Sequence, residues 1–429
     1  MAVVRGGTWG KAQQVPGVAG RGDSGVVSMS CASPGNCGAG GFLPDGVFGQ
    51  QAFVVSEKNG IWGKAEVVRG SVALDTGRQG QIDSVSCASP GNCTAAGEYA
   101  TLAPRAFPVH AFVVSEKNGA WGKAAKVPGI AAISKGSQAQ ISSVSCASPG
   151  NCSAGGSAGP AAFVVSQKNG AWGKAELVPG LAALTTNGRF SEINSVSCGA
   201  PGACSAGGDY QGHGFHGFVV SQQDGRWGEV LTIRHMDDVS ALSCASAGNC
   251  SAGGGLFAVS EKHGTWGQAE EIPGLAALAR HGSPFISSVS CASAGNCSAG
   301  GSYNHGSVYQ GFVVSETNGT WRRAIEAPGL GALNTRGLAA VNAVSCGAAG
   351  NCAAVGYYDG RHGHQGFVLS QDNGVWGKTE QVPGLAALSK AEFAEVSTVS
   401  CASAGKCGAG GFYTGRSGTD QAFVVGKAR

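Results

Sequence analysis

Apolar residues in this chain come in short runs separated by polar turns, and the runs recur in one order. Residues 141–184 show the pattern. Ile-Ser-Ser-Val-Ser-Cys (141–146) reads as a short strand, and Ala-Ser-Pro-Gly-Asn (147–151) as a turn with Pro and Gly at its centre. Cys-Ser-Ala-Gly-Gly (152–156) is the return strand. After a variable stretch, Ala-Phe-Val-Val-Ser (162–166) is a β-branched strand, Gln-Lys-Asn-Gly (167–170) a turn, and Ala-Trp-Gly-Lys-Ala-Glu-Leu-Val (171–178) a fourth strand. Asn-Gly ahead of an apolar run is a strong hairpin signal. Pro-Gly-Leu-Ala-Ala-Leu (179–184) leads into the next copy. Four short antiparallel strands in a unit of about 50 residues predict the blade of a β-propeller. The strands are called A to D, from the inside outward.

Each copy also carries two cysteines separated by five residues. The pairs are Cys31/Cys37, Cys87/Cys93, Cys146/Cys152, Cys198/Cys204, Cys244/Cys250, Cys291/Cys297, Cys346/Cys352 and Cys401/Cys407, which use all 16 cysteines. Successive first cysteines lie from 46 (Cys198 to Cys244) to 59 residues (Cys87 to Cys146) apart. The spacing suits a staple across the A–B hairpin, worth about 2 kcal/mol each in the chain-entropy picture. Zinc is the competing reading. Zinc sites favour shorter Cys spacings with a second pair or His in phase, and no His keeps phase here. Eight pairs predict an oxidising, extracellular compartment.

The ends predict closure. Trp9, Trp62, Trp121, Trp172, Trp227, Trp266, Trp321 and Trp376 all fall at the D position, whereas the C-terminal copy stops at strand C, Gln-Ala-Phe-Val-Val (421–425). Thr8 to Val15 can supply the missing outer strand beside Phe423 to Val425. The expected fold is therefore all-β: one eight-bladed propeller over residues 1–429, closed by its N-terminal strand, which removes exposed sheet edges. An open solenoid or separate small domains would leave both partial ends unexplained.

The words S-V-S-C-A-S-P-G-N-C and F-V-V-S-E-K-N-G-x-W-G-K-A resemble a repeat of exported actinobacterial proteins, mostly of unassigned function and read as β-propellers. The resemblance covers essentially the whole chain and implies the blade, with little about a ligand. Ser370-Gln-Asp372-Asn-Gly374-Val-Trp376 also resembles the Asp box of sialidase-type propellers, although its Trp arrives one residue early and most copies lack the Asp. In that family the box is a structural turn. The arginine cluster and Tyr/Glu pair of sialidase chemistry do not assemble here.

Composition narrows the function. The chain is 42% hydrophobic and 13% charged, with 74 glycines and a net charge of +3 spread without a Lys/Arg block. Small inner-strand residues account for the glycine. Nucleic-acid binding gains no support, and no apolar stretch approaches a membrane span. No leader is evident, so the chain is expected to be a mature or excised form. Catalytic and phosphate-binding motifs are missing, so no enzyme activity, cofactor or metal is expected. The strongest exception is Leu231-Thr-Ile-Arg-His235-Met-Asp237-Asp238, an acidic pair with a His where Pro-Gly-Leu-Ala-Ala-Leu is replaced. Arg361-His362-Gly-His364 is a weak metal word, and Arg21-Gly-Asp23 is read as a chance adhesion tripeptide.

Recognition is expected where the copies differ. The A–B and C–D turns share one face and are nearly constant. The B–C and D–A connections share the other and vary. All seven tyrosines lie in B–C segments: Tyr99, Tyr210, Tyr303, Tyr309, Tyr357, Tyr358 and Tyr413. His213, His216, His305, His362 and His364 join them, beside Asp209, Asn304, Asp359, Arg361 and Arg416. Aromatic rings beside Asn, Asp and His suit sugars, whose C–H faces stack while hydroxyls take hydrogen bonds. Tyr99 and Tyr357, with Phe42 and Phe412, are read as caps of strand B. Tyr309, Tyr358 and Tyr413 lie beyond the cap and are the preferred contacts. The expected function is a secreted, non-enzymatic, multivalent carbohydrate-binding module for a glycan or cell-surface ligand. A protein–protein scaffold or attachment module of a larger secreted assembly is the alternative, followed by a glycan hydrolase or lyase.

Overall fold

The computed structural model describes residues 7–18, 22–46, 49–103, 108–185, 189–280 and 282–427. They form eight antiparallel sheets arranged as the blades of one closed propeller. In blade 3 the strands are Ala139–Ser148 (A), Asn151–Ala158 (B) and Ala161–Lys168 (C), followed by two short outer pieces, Ala171–Trp172 and Glu176–Leu177. The single fourth strand expected from the sequence is therefore split. The cause is a change of partner. Gly173 N–H reaches the Ser166 carbonyl, and Ala175 N–H then donates to Pro128 O of the preceding blade.

The ring closes as the sequence predicts. Gln13 and Gln14 pair with Val424 and Phe423, and Trp9 bridges to Lys427. Ala12 N–H donates to Pro383 O of blade 7, the same link that Ala175 makes to blade 2.

All eight cysteine pairs form disulfides, and no free cysteine remains. Each staples the A–B hairpin as expected, with its cysteines directly opposite as at Cys146 and Cys152, and also reaches the seam between blades. The first cysteine of each pair is half-buried on strand A. The second, on strand B, is buried in every blade: Cys37, Cys93, Cys152, Cys204, Cys250, Cys297, Cys352 and Cys407. Strand B is flanked by A and C within its sheet and covered by the neighbouring blades, so this sulfur enters the seam between blades. The Sγ atoms of Cys152, Cys204 and Cys352 lie 3.5, 3.3 and 3.4 Å from the Thr94, Ser153 and Ser298 hydroxyls of the preceding blade. Cys37 packs in one core cluster with Val26 and Met29, and Cys407 in another with Trp9 and Val399. These cysteines are core residues.

The repeat words turn out to be contacts between blades. In S-V-S-C both serine hydroxyls accept backbone N–H groups from the next strand A: Val144 N to Ser84 Oγ at 3.0 Å and Cys146 N to Ser86 Oγ at 2.9 Å. Thr398 and Ser400 do the same for Met29 and Cys31 across the closure. In F-V-V-S the Phe is fully buried in blades 1 to 4 and 6 to 8. The Ser accepts from the next blade's indole, as in Trp121 Nε1 to Ser56 Oγ at 2.9 Å. The second glycine of A-G-G lies against strand A, where a Cβ at Gly156 would sit 2.0 Å from Gln140 O. Only glycine fits there. The Pro-Gly-Leu-Ala-Ala-Leu segments, read from sequence as plain connections, form one-turn helices such as Leu181–Leu184 whose first leucine is buried.

Asn-Gly C–D turns place both residues at positive φ, as at Asn169 (51°) and Gly170 (84°). Each C–D turn is tied to its own A–B turn. In blade 3 Gly170 N–H donates to Gly150 O at 2.8 Å, and Asn169 N–H to the Asn151 side chain at 3.1 Å. The A–B/C–D face, called here the turn face, is uniform because its turns hold each other. The B–C/D–A face, the loop face, has no such repeat. Blade 5 has the shortest strands, of six residues each in A, B and C. No helix among the described residues is long and apolar enough to cross a membrane.

Candidate functional site

Strand register decides which loop-face aromatics are available. Two positions follow the A-G-G glycines. The first holds Phe42, Glu98, Asp209, Tyr357 and Phe412, each opposite the start of strand A. The second holds Tyr99, Tyr210, Tyr303, Tyr358 and Tyr413, all between 4% and 6% exposed. Tyr99, Tyr210 and Tyr413 rest on the core phenylalanines Phe112, Phe218 and Phe423 at centroid distances of 6.3 to 6.4 Å. The hydroxyls of Tyr210 and Tyr303 meet Thr232 and Glu326 at 3.1 Å. Tyr358 and Tyr413, preferred as contacts from the sequence, are thus the blade caps. Tyr357, grouped from sequence with the cap Tyr99, stands one residue earlier and faces the other way, because side chains alternate along a strand. Tyr309 is 44% exposed, as a contact residue requires.

His213, His305 and His362 are exposed, while His216 packs on Tyr210 at 5.2 Å. His364 is the most constrained. It begins strand C of blade 7 and is bridged to Phe393, in the connection to blade 8. Its ring lies between Tyr357 and Phe393, each stacked at 4.5 Å, and Phe393 stacks in turn on Phe412 at 6.0 Å. Ser389 Oγ fixes the loop by accepting Phe393 N–H and donating to its carbonyl. The Nδ1 of His364 contacts Asp359 at 2.7 Å. Its Nε2 stands 3.7 Å from Glu395, an ion-pair distance that leaves Nε2 without a hydrogen-bond partner. Asn342 holds Glu395 at 2.7 Å from a bulge in strand A of blade 7. Burial favours the neutral imidazole, but the contacts and charges of Glu395 and Asp359 outweigh it, and the His364 pKa lies above the ordinary value. Burial, then Glu395 and Asp359, raise the Tyr357 pKa. Phe393 keeps 40% of its surface exposed, so this aromatic band presents an open ring edged by carboxylates and an amide.

The same shelf recurs at other junctions with different residues. Tyr309 N–H meets Gly337 O, beside the exposed Leu338, between blades 6 and 7. The exposed Phe190 precedes Ser191, whose N–H bonds Pro160 O between blades 3 and 4. The exposed Phe215 lies near the link from Gly217 N–H to Met236 O between blades 4 and 5. Between blades 1 and 2 the shelf is Gln50 and Gln79. Reading tyrosines and histidines alone misses Phe393, Phe190 and Phe215. Phe393 and Phe190 stand at one repeat position, three residues before the buried Val396 or Ile193, and that phase is the available signal.

Carboxylates gather where strands A and B begin and end on this face. Burial raises the pKa of Glu98, Glu192, Asp209 and Asp238. Burial and then the charge of Glu98 push Asp83 up to about 8. A cavity of about 800 Å³ spans blades 8, 1 and 2 and is lined by Asp23, Gln50, Arg78, Gln79 and Glu98. Asp83 is not on its wall, so no carboxylate pair with Asp83 faces this cavity. In the aberrant 231–238 connection His235 stacks on Phe257 at 6.2 Å, whereas Asp238 bonds Ser240 and feels Asp209. The structure does not bring that His and acidic pair together as a unit. Among the described residues, the group with metal-ligand proximity is Cys244, Cys250 and Glu261, in which the two sulfurs are joined to each other. Asp23 of the Arg-Gly-Asp word accepts Asp420 N–H, while Arg21 lies outside the described residues.

The turn face carries three clefts at equivalent junctions, of about 300 Å³ between blades 2 and 3, 240 Å³ between 5 and 6, and 250 Å³ between 8 and 1. The residue after the F-V-V-S serine is buried at most junctions. Gln222, Glu261, Glu316 and Gln371 take serine partners there from the blade before. Burial raises the pKa of Glu116, Glu261 and Glu316.

No protein-family model and no curated protein matches the sequence. Solved structures do match in shape. The chain is similar to Sqt1 from Chaetomium thermophilum, with a TM-score of 0.55, 13% identity, and coverage of 97% of this chain and 98% of that one. The same protein bound to the N-terminus of ribosomal protein L10 gives 0.54 at 12% identity, covering 97% and 100%. A PL25 ulvan lyase gives 0.45 at 10% identity, covering 98% and 95%. At these identities the likeness to Sqt1 is one of overall fold alone.

Proposed function

We propose that this protein is a secreted, non-enzymatic recognition propeller that binds glycans on its loop face. The observation that supports this best is the band Tyr357–His364–Phe393–Phe412 with Asp359, Glu395 and Asn342 along its edge. An exposed ring flanked by fixed acceptors and an amide suits a sugar, whose axial C–H groups pack on the ring while its hydroxyls donate to the carboxylates. The shelves differ in chemistry from junction to junction, so the site is read as extended and graded rather than as eight equal pockets. Eight disulfides fit export to an oxidising compartment.

The experiment is a glycan array with the purified chain, followed by Phe393→Ala. The expected result is a defined glycan set whose affinity falls at least about tenfold in the variant, the loss of one stacked ring. An empty array, or binding unchanged by Phe393→Ala, would overturn the reading. A second reading, a protein-docking scaffold, is favoured by the exposed Phe190, Phe215, Phe285, Val308 and Tyr309 on the same face. Sqt1, bound to a peptide terminus, provides the fold-level analogy. Pull-down of a defined protein by an array-negative chain would select it.

A further inference from the structure

No basic block appears along the chain, but the repeat stacks its cations. Lys58, Lys117, Lys168 and Lys262 occupy one phase of the C–D turn and are all exposed. In blade 4, where Gln223 replaces the lysine, the exposed Arg226 stands two residues beyond the turn's Asp224. In blade 8 Lys406 enters from the A–B turn. At this turn phase the cations run through consecutive blades 8, 1, 2, 3, 4 and 5 and give way to Thr317 and Asp372 in blades 6 and 7, where the phase of Lys123 is still cationic as Arg323 and Lys378. The acids next to Lys117 and Lys262 do not cancel them, whereas Glu57 beside Lys58 is half-buried and Asp224 near Arg226 is exposed. Glu116 and Glu261 are 2% and 3% exposed, turn inward to serines of the preceding blade, and are held toward the neutral form by burial.

The clefts lie under this arc. The Lys117 ammonium crosses the 2/3 cleft to rest against Gly170, and Lys262 crosses the 5/6 cleft to Gly319. Gln167, 5% exposed, donates to Ser115 at the floor of the 2/3 cleft and leaves its Oε1 without a partner. Asn92, Asn118 and Asn169 edge the same cleft. It continues outward into a groove of about 510 Å³ that shares Lys117 and Gln167 and adds Arg69 and Lys123. Cations above, amides along the wall and an unfilled acceptor at the floor match a chain that carries both anionic groups and hydroxyls.

We propose that the turn face binds a linear anionic polysaccharide, its carboxylate or sulfate groups meeting the lysine arc and its hydroxyls entering the inter-blade clefts. Nucleic acid fits less well, because among the described residues the face has no exposed phenylalanine, tyrosine or tryptophan on which a base could stack, Trp172 in the outer groove being half-buried. A membrane surface fits less well too, since Ile61 on blade 1 and Val375 on blade 7 are single exposed apolar side chains with blade 8 between them, not a continuous apolar face. The proposal is independent of the aromatic band on the opposite face.

The test measures binding of heparin and of polygalacturonate, against duplex DNA and phosphatidylglycerol vesicles, at about 50 and about 300 mM NaCl, where screening of exposed charges differs strongly. The expected result is binding of a polysaccharide at low salt that weakens at least about tenfold at high salt. The double variant Lys117→Glu/Lys262→Glu should lose it, while Gln167→Ala should weaken it without changing its salt dependence. Phe393→Ala should leave it intact, which separates this outcome from failure of the loop-face site. No polysaccharide binding at low salt, equal binding by the folded double variant, or preference for DNA or vesicles would each overturn the proposal.

Discussion

The two faces of this disc are made from the same eight copies and behave oppositely. On the turn face the residues of the repeat words have structural partners: Asn151 and Gly150 hold the C–D turn, and Ser166 takes the next blade's indole and amide. On the loop face the locks differ from junction to junction, as Ser389 with Phe393 and Asp359 with His364 show. Constancy between copies thus marks a lock shared by all, and variation marks locks particular to one junction. The turn face owes its chemistry to charges set by the repeat period, whereas the loop face owes its chemistry to single substitutions.

The largest expected effect comes from breaking the ring that both faces share. Deleting residues 1–15 removes Trp9, the 13–14 pairing and the Ala12–Pro383 link. We expect a loss of at least about 4 kcal/mol or frank insolubility, since a buried Trp alone is worth about that much. An unchanged melting curve would contradict closure.

Next, Tyr358→Ala should cost about 3 kcal/mol by leaving a cavity, while Tyr309→Ala should cost under about 0.5 kcal/mol. The pair sharpens the loop-face account, because the neighbouring chemistry is alike and only burial differs. Equal effects in chemical denaturation would contradict it.

This pair also shows how much the sequence could tell. The blade, the disulfides and the closing strand are legible because they repeat eight times and tolerate an error of one residue. The site is not, because a shift of one residue along strand B moves a ring from one side of the sheet to the other. By its place as the first aromatic after strand B, Tyr357 looks like the counterpart of Tyr99, when Tyr358 is its equivalent. Phe393 joins His364 only because the connection between blades 7 and 8 returns beside strand C, which linear spacing does not report. The splitting of strand D and the burial of the strand-B cysteines depend on partners in another blade and are equally invisible.

Smaller effects come from the buried acids. Glu316 has a folded pKa above its unfolded value, so its contribution favours folding below the unfolded pKa and is lost as pH rises through the folded one. Glu316→Gln, the residue found at the equivalent Gln371, should raise the melting temperature at pH 8 and change little near pH 4. Asp83 follows the same sign, with its stabilisation lost between its ordinary value of 3.8 and about 8. At the equivalent position Asn194, Ser240, Ser287 and Asn342 donate to a carbonyl of the next blade. Asp83→Asn should therefore flatten the decline of stability above pH 4, as read by melting at several pH values.

His364 runs the same way for a different reason. Its raised pKa stabilises the fold at pH values below the ordinary histidine pKa, and the gain is lost as pH rises through the raised value. His364→Gln should remove that pH dependence while Tyr309→Ala leaves it in place. A persistent dependence in the His364 variant would assign it elsewhere.

The division of labour between the faces is tested most directly by one double dissociation. Isothermal titration of a neutral glycan selected on the array would be run against the unaltered chain, Phe393→Ala and Lys117→Glu/Lys262→Glu. The account predicts that Phe393→Ala loses at least about tenfold in affinity while the lysine variant binds as the unaltered chain does. Full affinity in Phe393→Ala together with loss in the lysine variant would place glycan recognition on the turn face and contradict the account.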